Sequence, residues 1–154
     1  MRRESDLKEI LERNAGLFLD FETFAIMKKA LEKMFSSGAL VIIATMAKPC
    51  GQKIYKQIIR NAKTNEEALN QLAELLNDQN WGELSLFNVD FERGSGKVIV
   101  KNCFEARQHQ SGTPCCRFFS SFLAGFMSEL LAKNVMIKEE KCAATGNAYC
   151  EFKF

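Results

Sequence analysis

Residues 113–154 read TPCCRFFSSFLAGFMSELLAKNVMIKEEKCAATGNAYCEFKF, and the change of period along this stretch decides the fold. Its first half sets Phe118, Phe119, Phe122, Leu123, Phe126, Met127, Leu130 and Leu131 at helical spacing. With Thr113 as N-cap and Pro114 at the first helical position, the spacing predicts a helix ending at Asn134, its apolar face broad enough to be central. Its second half predicts a hairpin, Val135 to Ala143 and Ala148 to Phe154, turning on Gly146-Asn147.

Upstream lies a second hairpin. Leu84, Leu86, Val89 and Phe91 alternate after Trp81-Gly82, Arg93-Gly94-Ser95-Gly96 turns the chain, and Val98 and Val100 lead on to Phe104. Before it come helices. Thr64 caps a run with Leu69, Leu72, Leu75 and Leu76 on one face, ending near Asn77. Residues 39–62 read as a buried segment, strand or helix in its first half, and then a helix kinked or restarted at Pro49. From Asp20 an amphipathic helix carries Phe24, Met27, Leu31, Met34 and Phe35 and stops at Gly38; residues 1–14 form a short helical arm through Leu7, Ile10 and Leu11. The expected architecture is α+β, one domain over 1–154, with helices packed on one face of an antiparallel sheet of about four strands.

Composition narrows the function classes. With 154 residues, 47% hydrophobic and 26% charged, the chain can bury a core unaided. Thirteen phenylalanines against one tryptophan and two tyrosines point to an aromatic interior without polar handles. The net charge of +2 is scattered, as in Lys28, Lys29, Glu32 and Lys33, which argues against direct nucleic-acid binding. The opening Met-Arg-Arg-Glu-Ser-Asp has no apolar stretch behind it, so the expected location is the cytoplasm. The longest apolar run, Ala39 to Ala47, falls short of the roughly 20 residues that span a bilayer, so no membrane span is expected.

Six cysteines in a reducing compartment suggest metal or redox chemistry more than disulfides. Cys142 and Cys150 are equidistant from Gly146, so a symmetric hairpin sets them opposite each other. Cys116 falls in the first turn of the central helix, where the dipole favours a thiolate. Zinc takes thiolates and sometimes a carboxylate. Glu139 is a better fourth ligand than Glu140, because alternation from Val135 and Ile137 turns it toward the apolar face. Positions 139 and 142 lie on opposite faces of a regular strand, so the set requires a bulge. A Cys142–Cys150 disulfide and three inert core cysteines are the competing readings, and Cys115 competes with Cys116. Cys50 and Cys103 are expected to be buried and unreactive.

Other signals are weaker. The lone histidine, His109, sits in a polar loop, with no nucleophile set of recognisable spacing around it. Gly94-Ser-Gly-Lys97 lacks the first glycine of a phosphate loop and reads as a turn. Trp81 either closes a cavity rim or is partly buried packing. No catalytic or nucleotide-binding residues emerge.

The stretch Cys116-Arg-Phe-Phe through Gly125-Phe-Met-Ser-Glu-Leu-Leu, then Glu139-Glu-Lys-Cys142, Gly146-Asn and Cys150-Glu-Phe, resembles the 4-vinyl reductase domain family over residues 102–152. That family includes archaeal stand-alone proteins and the sensor domains of bacterial activators responsive to aromatic compounds. In Asn102-Cys-Phe-Glu-Ala106, Cys103 replaces a serine of the family pattern. The resemblance implies a structural zinc ion on Cys116, Glu139, Cys142 and Cys150. It also implies a fold similar to the ligand-binding domains of nitric-oxide signalling and Golgi transport, with an apolar cavity between the layers. Trp81, Phe104, Phe119, Phe122 and Phe126 are the residues expected to line it. The expected function is binding or sensing of a small apolar or aromatic molecule, acting through a partner or as a homodimer. The alternatives are a reductase or accessory factor acting on a vinyl tetrapyrrole, and a scaffold whose cavity is packed or lipid-filled. The family name suggests the reductase, but the chain has no redox-cofactor motif.

Overall fold

A computed structural model describes residues 19–107 and 110–154. The expected arm and His109 lie outside the described residues. Three helices come first: α1 (Phe21–Phe35), α2 (Gly38–Ile58) and α3 (Asn65–Asp78). Then follow β1 (Glu83–Asp90), β2 (Ser95–Lys101), the short α4 (Phe104–Arg107), α5 (Arg117–Leu130), β3 (Lys138–Lys141), a 3-10 turn (Ala143–Thr145) and β4 (Cys150–Lys153). The four strands form one antiparallel sheet in the order β1-β2-β4-β3, so the last strand is inserted between the two hairpins. The α+β expectation of helices on a four-stranded antiparallel sheet holds.

The core is the contact of α5 with the sheet and with α2. Phe119, Phe122, Leu123, Phe126 and Met127 of α5 are buried with Val98 and Val100 of β2 and Phe152 of β4. On its other side α5 crosses α2 backbone to backbone. A Cβ at Gly51 would sit 1.9 Å from the Phe122 carbonyl oxygen, and one at Gly125 would sit 2.0 Å from that of Lys48. Only glycine permits this approach.

That crossing corrects the reading of residues 39–62. They form one helix, and it runs through Pro49. Its buried positions Ala39, Ile43, Ala47 and Gly51 recur every fourth residue, a stripe that packing against α5 holds helical. Leu40, Val41 and Met46 are apolar but exposed, and they hide the period in the sequence. Cys50 is likewise exposed, contrary to expectation.

The apolar stripe expected for α1 is also corrected. Met27, Met34 and Phe35 face outward, whereas the buried positions are Ala25 and Lys28, with Phe21 and Phe24 packed on the core. A lysine occupies the inner face because its charge is met by a carboxylate described below. The Asp20 cap is as expected, its carboxylate accepting from the Thr23 amide at 2.7 Å.

Three further boundaries move. β2 ends at Lys101, where Asn102 takes φ 54°, and the chain enters α4 rather than continuing extended to Phe104. The strands of the second hairpin span 138–141 and 150–153 only. The central helix begins at Arg117, with Cys116 at the N-cap position, and ends at Leu130. Thr113 caps nothing there, because a side chain from outside the segment caps α5.

Candidate metal centre

The N-terminus of α5 is organised by Glu105, from α4. Its carboxylate accepts from the amides of Phe118 at 3.1 Å and Phe119 at 2.9 Å, satisfying two donors that a helix start leaves free. Lys28 completes the arrangement from α1, its Nζ 2.7 Å from Glu105 Oε1 and also donating to the Cys115 carbonyl. Both side chains are within 2% of fully buried. Burial works against the charge on Lys28, but the Glu105 carboxylate outweighs it and holds the ammonium above its ordinary value. Three elements thus fix the segment that carries Cys115 and Cys116.

The second hairpin supplies the rest. Glu139 pairs with Phe152 and Lys141 with Glu151, so Glu140 is an extra residue on β3. This bulge lets Glu139 and Cys142 reach the same side of the hairpin, as the sequence required. The Cys142 carbonyl then accepts from Thr145 Oγ1 at 2.8 Å and Asn147 Nδ2 at 3.1 Å, which locks the 3-10 turn. Gly146 closes that turn at φ 92°. The Ala143 amide donates to Cys150 Sγ at 3.3 Å.

Cys116, Glu139, Cys142 and Cys150 each offer one donor atom, and these atoms all lie within 4.8 Å of one another. The three sulfurs are buried; Cys116 Sγ is 3.9 Å from that of Cys142 and 3.8 Å from that of Cys150. Glu139 Oε2 accepts from the Cys116 amide at 2.9 Å, while its buried Oε1 has no hydrogen-bond partner. Burial, and then contact with Cys142, pushes the Glu139 carboxyl up to about 8. Contacts from Cys115, Cys116 and Cys150 hold the Cys142 thiol well below its ordinary value. Contacts from Cys103, Cys115 and Cys142 push Cys116 up.

A divalent soft cation fits this donor set. Two thiolates on one tetrahedral zinc, with bonds near 2.3 Å, stand roughly 3.8 Å apart, as these sulfurs do. The orphaned Oε1 would gain a partner, and anions that repel one another would gain a cation.

The sequence did not reveal that this cluster contains five sulfurs. Cys103, fully buried, has its Sγ 3.8 Å from that of Cys116, and Cys115, half-buried, has its Sγ 3.8 Å from that of Cys142. Nor did it reveal Lys28 and Glu105. A lysine spaced four residues from Phe24 on an apolar face was the available signal.

The rings named for an apolar pocket lie behind this centre, packed on one another. Trp81 is 5.0 Å from Phe104 and 5.0 Å from Phe122, centroid to centroid, and 6.2 Å from Phe119. Phe126 stands apart, edge-on to Tyr55 at 5.5 Å.

Residues 97–154 match the family model of the 4-vinyl reductase domain, a span that contains all four donors, and the resemblance read from the sequence is borne out. Two uncharacterized proteins of Methanocaldococcus jannaschii are each 29% identical, over 92 and 103 residues, covering 54% and 66% of this chain. The matches span 57% and 58% of those proteins' own lengths. Among solved structures, the phenol-responsive sensory domain of the transcription activator PoxR, bound to phenol, superposes with TM-score 0.81 at 17% identity. That match covers 90% of this chain and 75% of that one. A vinyl-4-reductase family protein from M. jannaschii gives 0.55 at 18%, covering 90% and 96%. A trafficking protein particle complex subunit 3 from Naegleria fowleri, covalently bound to palmitic acid, gives 0.59 at 10%, covering 86% and 92%. These likenesses show a shared fold. No helix among the described residues is long and apolar enough to cross a membrane.

Proposed function

We propose that this chain is a small-molecule-binding domain whose C-terminal hairpin is clamped to α5 by one structural zinc ion on Cys116, Glu139, Cys142 and Cys150. The observation that carries the metal is the convergence of four donors, one carboxylate oxygen of which is buried without a partner. Four protein ligands leave no open coordination position, so the ion would hold structure rather than activate a substrate. Elemental analysis of protein purified without chelators should give about one zinc per chain, and protein that folds without metal would refute the clamp.

The ligand reading rests on the aromatic cluster around Trp81, set in the fold of a domain that responds to phenol. Apolar, flat molecules suit rings that carry no polar handle. Because the rings touch, a ligand would enter by parting them. Trp81 is the sole tryptophan, so its fluorescence reports entry directly. Titrating the zinc-loaded protein with phenol and with benzene should change that emission and raise the melting temperature. No change in either at millimolar ligand would refute the pocket.

A homodimer is the route by which such a domain would pass on a signal. Ile26 (61% exposed), Met34 (73%) and Val41 (64%) leave an apolar surface on α1 and α2 that a second copy could cover. Sedimentation analysis tests this, and a concentration-independent monomer would exclude it.

A further inference from the structure

Two cysteines of the cluster are surplus to a four-ligand site, and they differ in access. Cys103 is fully buried; Cys115 is half-buried, the one sulfur of the five open toward solvent. Cys115 Sγ lies 3.8 Å from Sγ of Cys142, which comes from a different element 27 residues on. The backbone is held at both ends: Lys28 Nζ grips the Cys115 carbonyl, and Thr145 and Asn147 grip that of Cys142. The two sulfurs therefore face each other across a short gap at the accessible edge of the cluster, one of them a metal donor and the other not.

We propose that Cys115 is a peroxide-reactive thiol, and that its disulfide with Cys142 opens the metal site. The inference rests on the zinc assignment above. The Cys115 sulfur attacks a peroxide oxygen; the O–O bond breaks and an S–O bond forms, giving a sulfenic acid. The Cys142 sulfur then attacks that of Cys115; the S–O bond breaks, hydroxide leaves, and the S–S bond forms. Overall, two thiols lose two electrons and two protons, and hydrogen peroxide becomes two waters. With Cys142 tied up, three donors remain and zinc is released. A four-ligand set without Cys115 has no such entry point, because its sulfurs are buried. Zinc and reductant reverse the change.

The test treats the full, zinc-loaded chain with graded hydrogen peroxide. Zinc release is followed with a chromogenic chelator, and non-reduced digests are mapped by mass spectrometry. The expected result is a single disulfide, Cys115 to Cys142, with a mass loss of two hydrogens and one zinc freed for each bond formed. Cys115→Ser should keep its zinc and slow release by about tenfold or more, while Cys50→Ser should behave as the parent. Cys115→Ala gives a second variant if the serine disturbs packing. A disulfide between Cys103 and Cys116 or between Cys142 and Cys150, or unchanged release in both Cys115 variants, would overturn the proposal. Protein isolated without zinc would refute the metal reading, and the disulfide map would still decide which pair forms.

Discussion

Replacing Lys28 with methionine isolates the interaction that positions the metal-site segment. Lys28→Met keeps the length and apolar stem of the side chain but removes the ammonium 2.7 Å from Glu105. The carboxylate stays behind in a site that is 1% exposed, accepting only from the Phe118 and Phe119 amides. Removing one partner of a buried ion pair costs about 3–5 kcal/mol, because the remaining charge is uncompensated. The two amides still stabilise the carboxylate, which favours the lower end of that range. Loss of the Lys28 bond to the Cys115 carbonyl adds about 1 kcal/mol. An expected cost of about 4 kcal/mol is a large share of the roughly 5–15 kcal/mol by which small domains are stable. Urea unfolding at pH 7, followed by Trp81 fluorescence, measures it. The pH dependence supplies the sign. Burial raises the Glu105 carboxyl above its unfolded value, so the methionine variant is penalised where the unfolded chain is ionised. The penalty should shrink as pH falls toward the unfolded carboxyl value of about 4.3. Adding Glu105→Gln should recover part of the loss at pH 7. A cost below about 1 kcal/mol, or a gap that does not narrow on acidification, would refute the idea that this pair is a buried charge contact.

Other perturbations test the remaining parts of the framework. Gly51→Ala and Gly125→Ala each drive a Cβ to within about 2 Å of a facing carbonyl oxygen, so each should cost about 3 kcal/mol and lower the melting temperature by roughly 6–12 °C. Phe119→Ala empties a fully buried site beside Phe152 and should cost about 3–5 kcal/mol in the same melts. Thr64→Ala removes the oxygen that accepts from the Glu67 amide at 3.1 Å and should cost only about 1 kcal/mol. Cys150→Ser should lower the zinc content and the unfolding midpoint together, while Cys50→Ser, at an exposed site, should change neither.

How much the sequence revealed differs from element to element. The apolar face of α5 repeats over the whole helix and precedes a hairpin signal, so both elements and their packing were readable from local spacing. The same holds for the four donors, which stand at intervals that a short hairpin and a helix start can bring together. The demand for a bulge between Glu139 and Cys142 was also legible, because period-two alternation separates them and the structure places the extra residue at Glu140. By contrast, α2 carries apolar residues on its exposed face as well as its buried one, so no period marked it as a single helix. What made it so was the close crossing at Gly51 and Gly125, a contact between segments far apart in the chain.

The sequence by itself therefore determined the class of fold, the broad face of α5 and the donor types at their spacing, because each depends on neighbours within one element or one hairpin. Tertiary structure alone decided which face of α1 turns inward, what caps α5 and which sulfurs meet. Lys28 can be buried only because Glu105, 77 residues away, supplies the opposite charge. Glu105 in turn caps a helix that begins 12 residues later, in place of the adjacent threonine. Cys103 and Cys115 join the cluster through the same folding. A buried charge or thiol is tolerated according to what surrounds it, and those surroundings exist only once the distant segments have packed together.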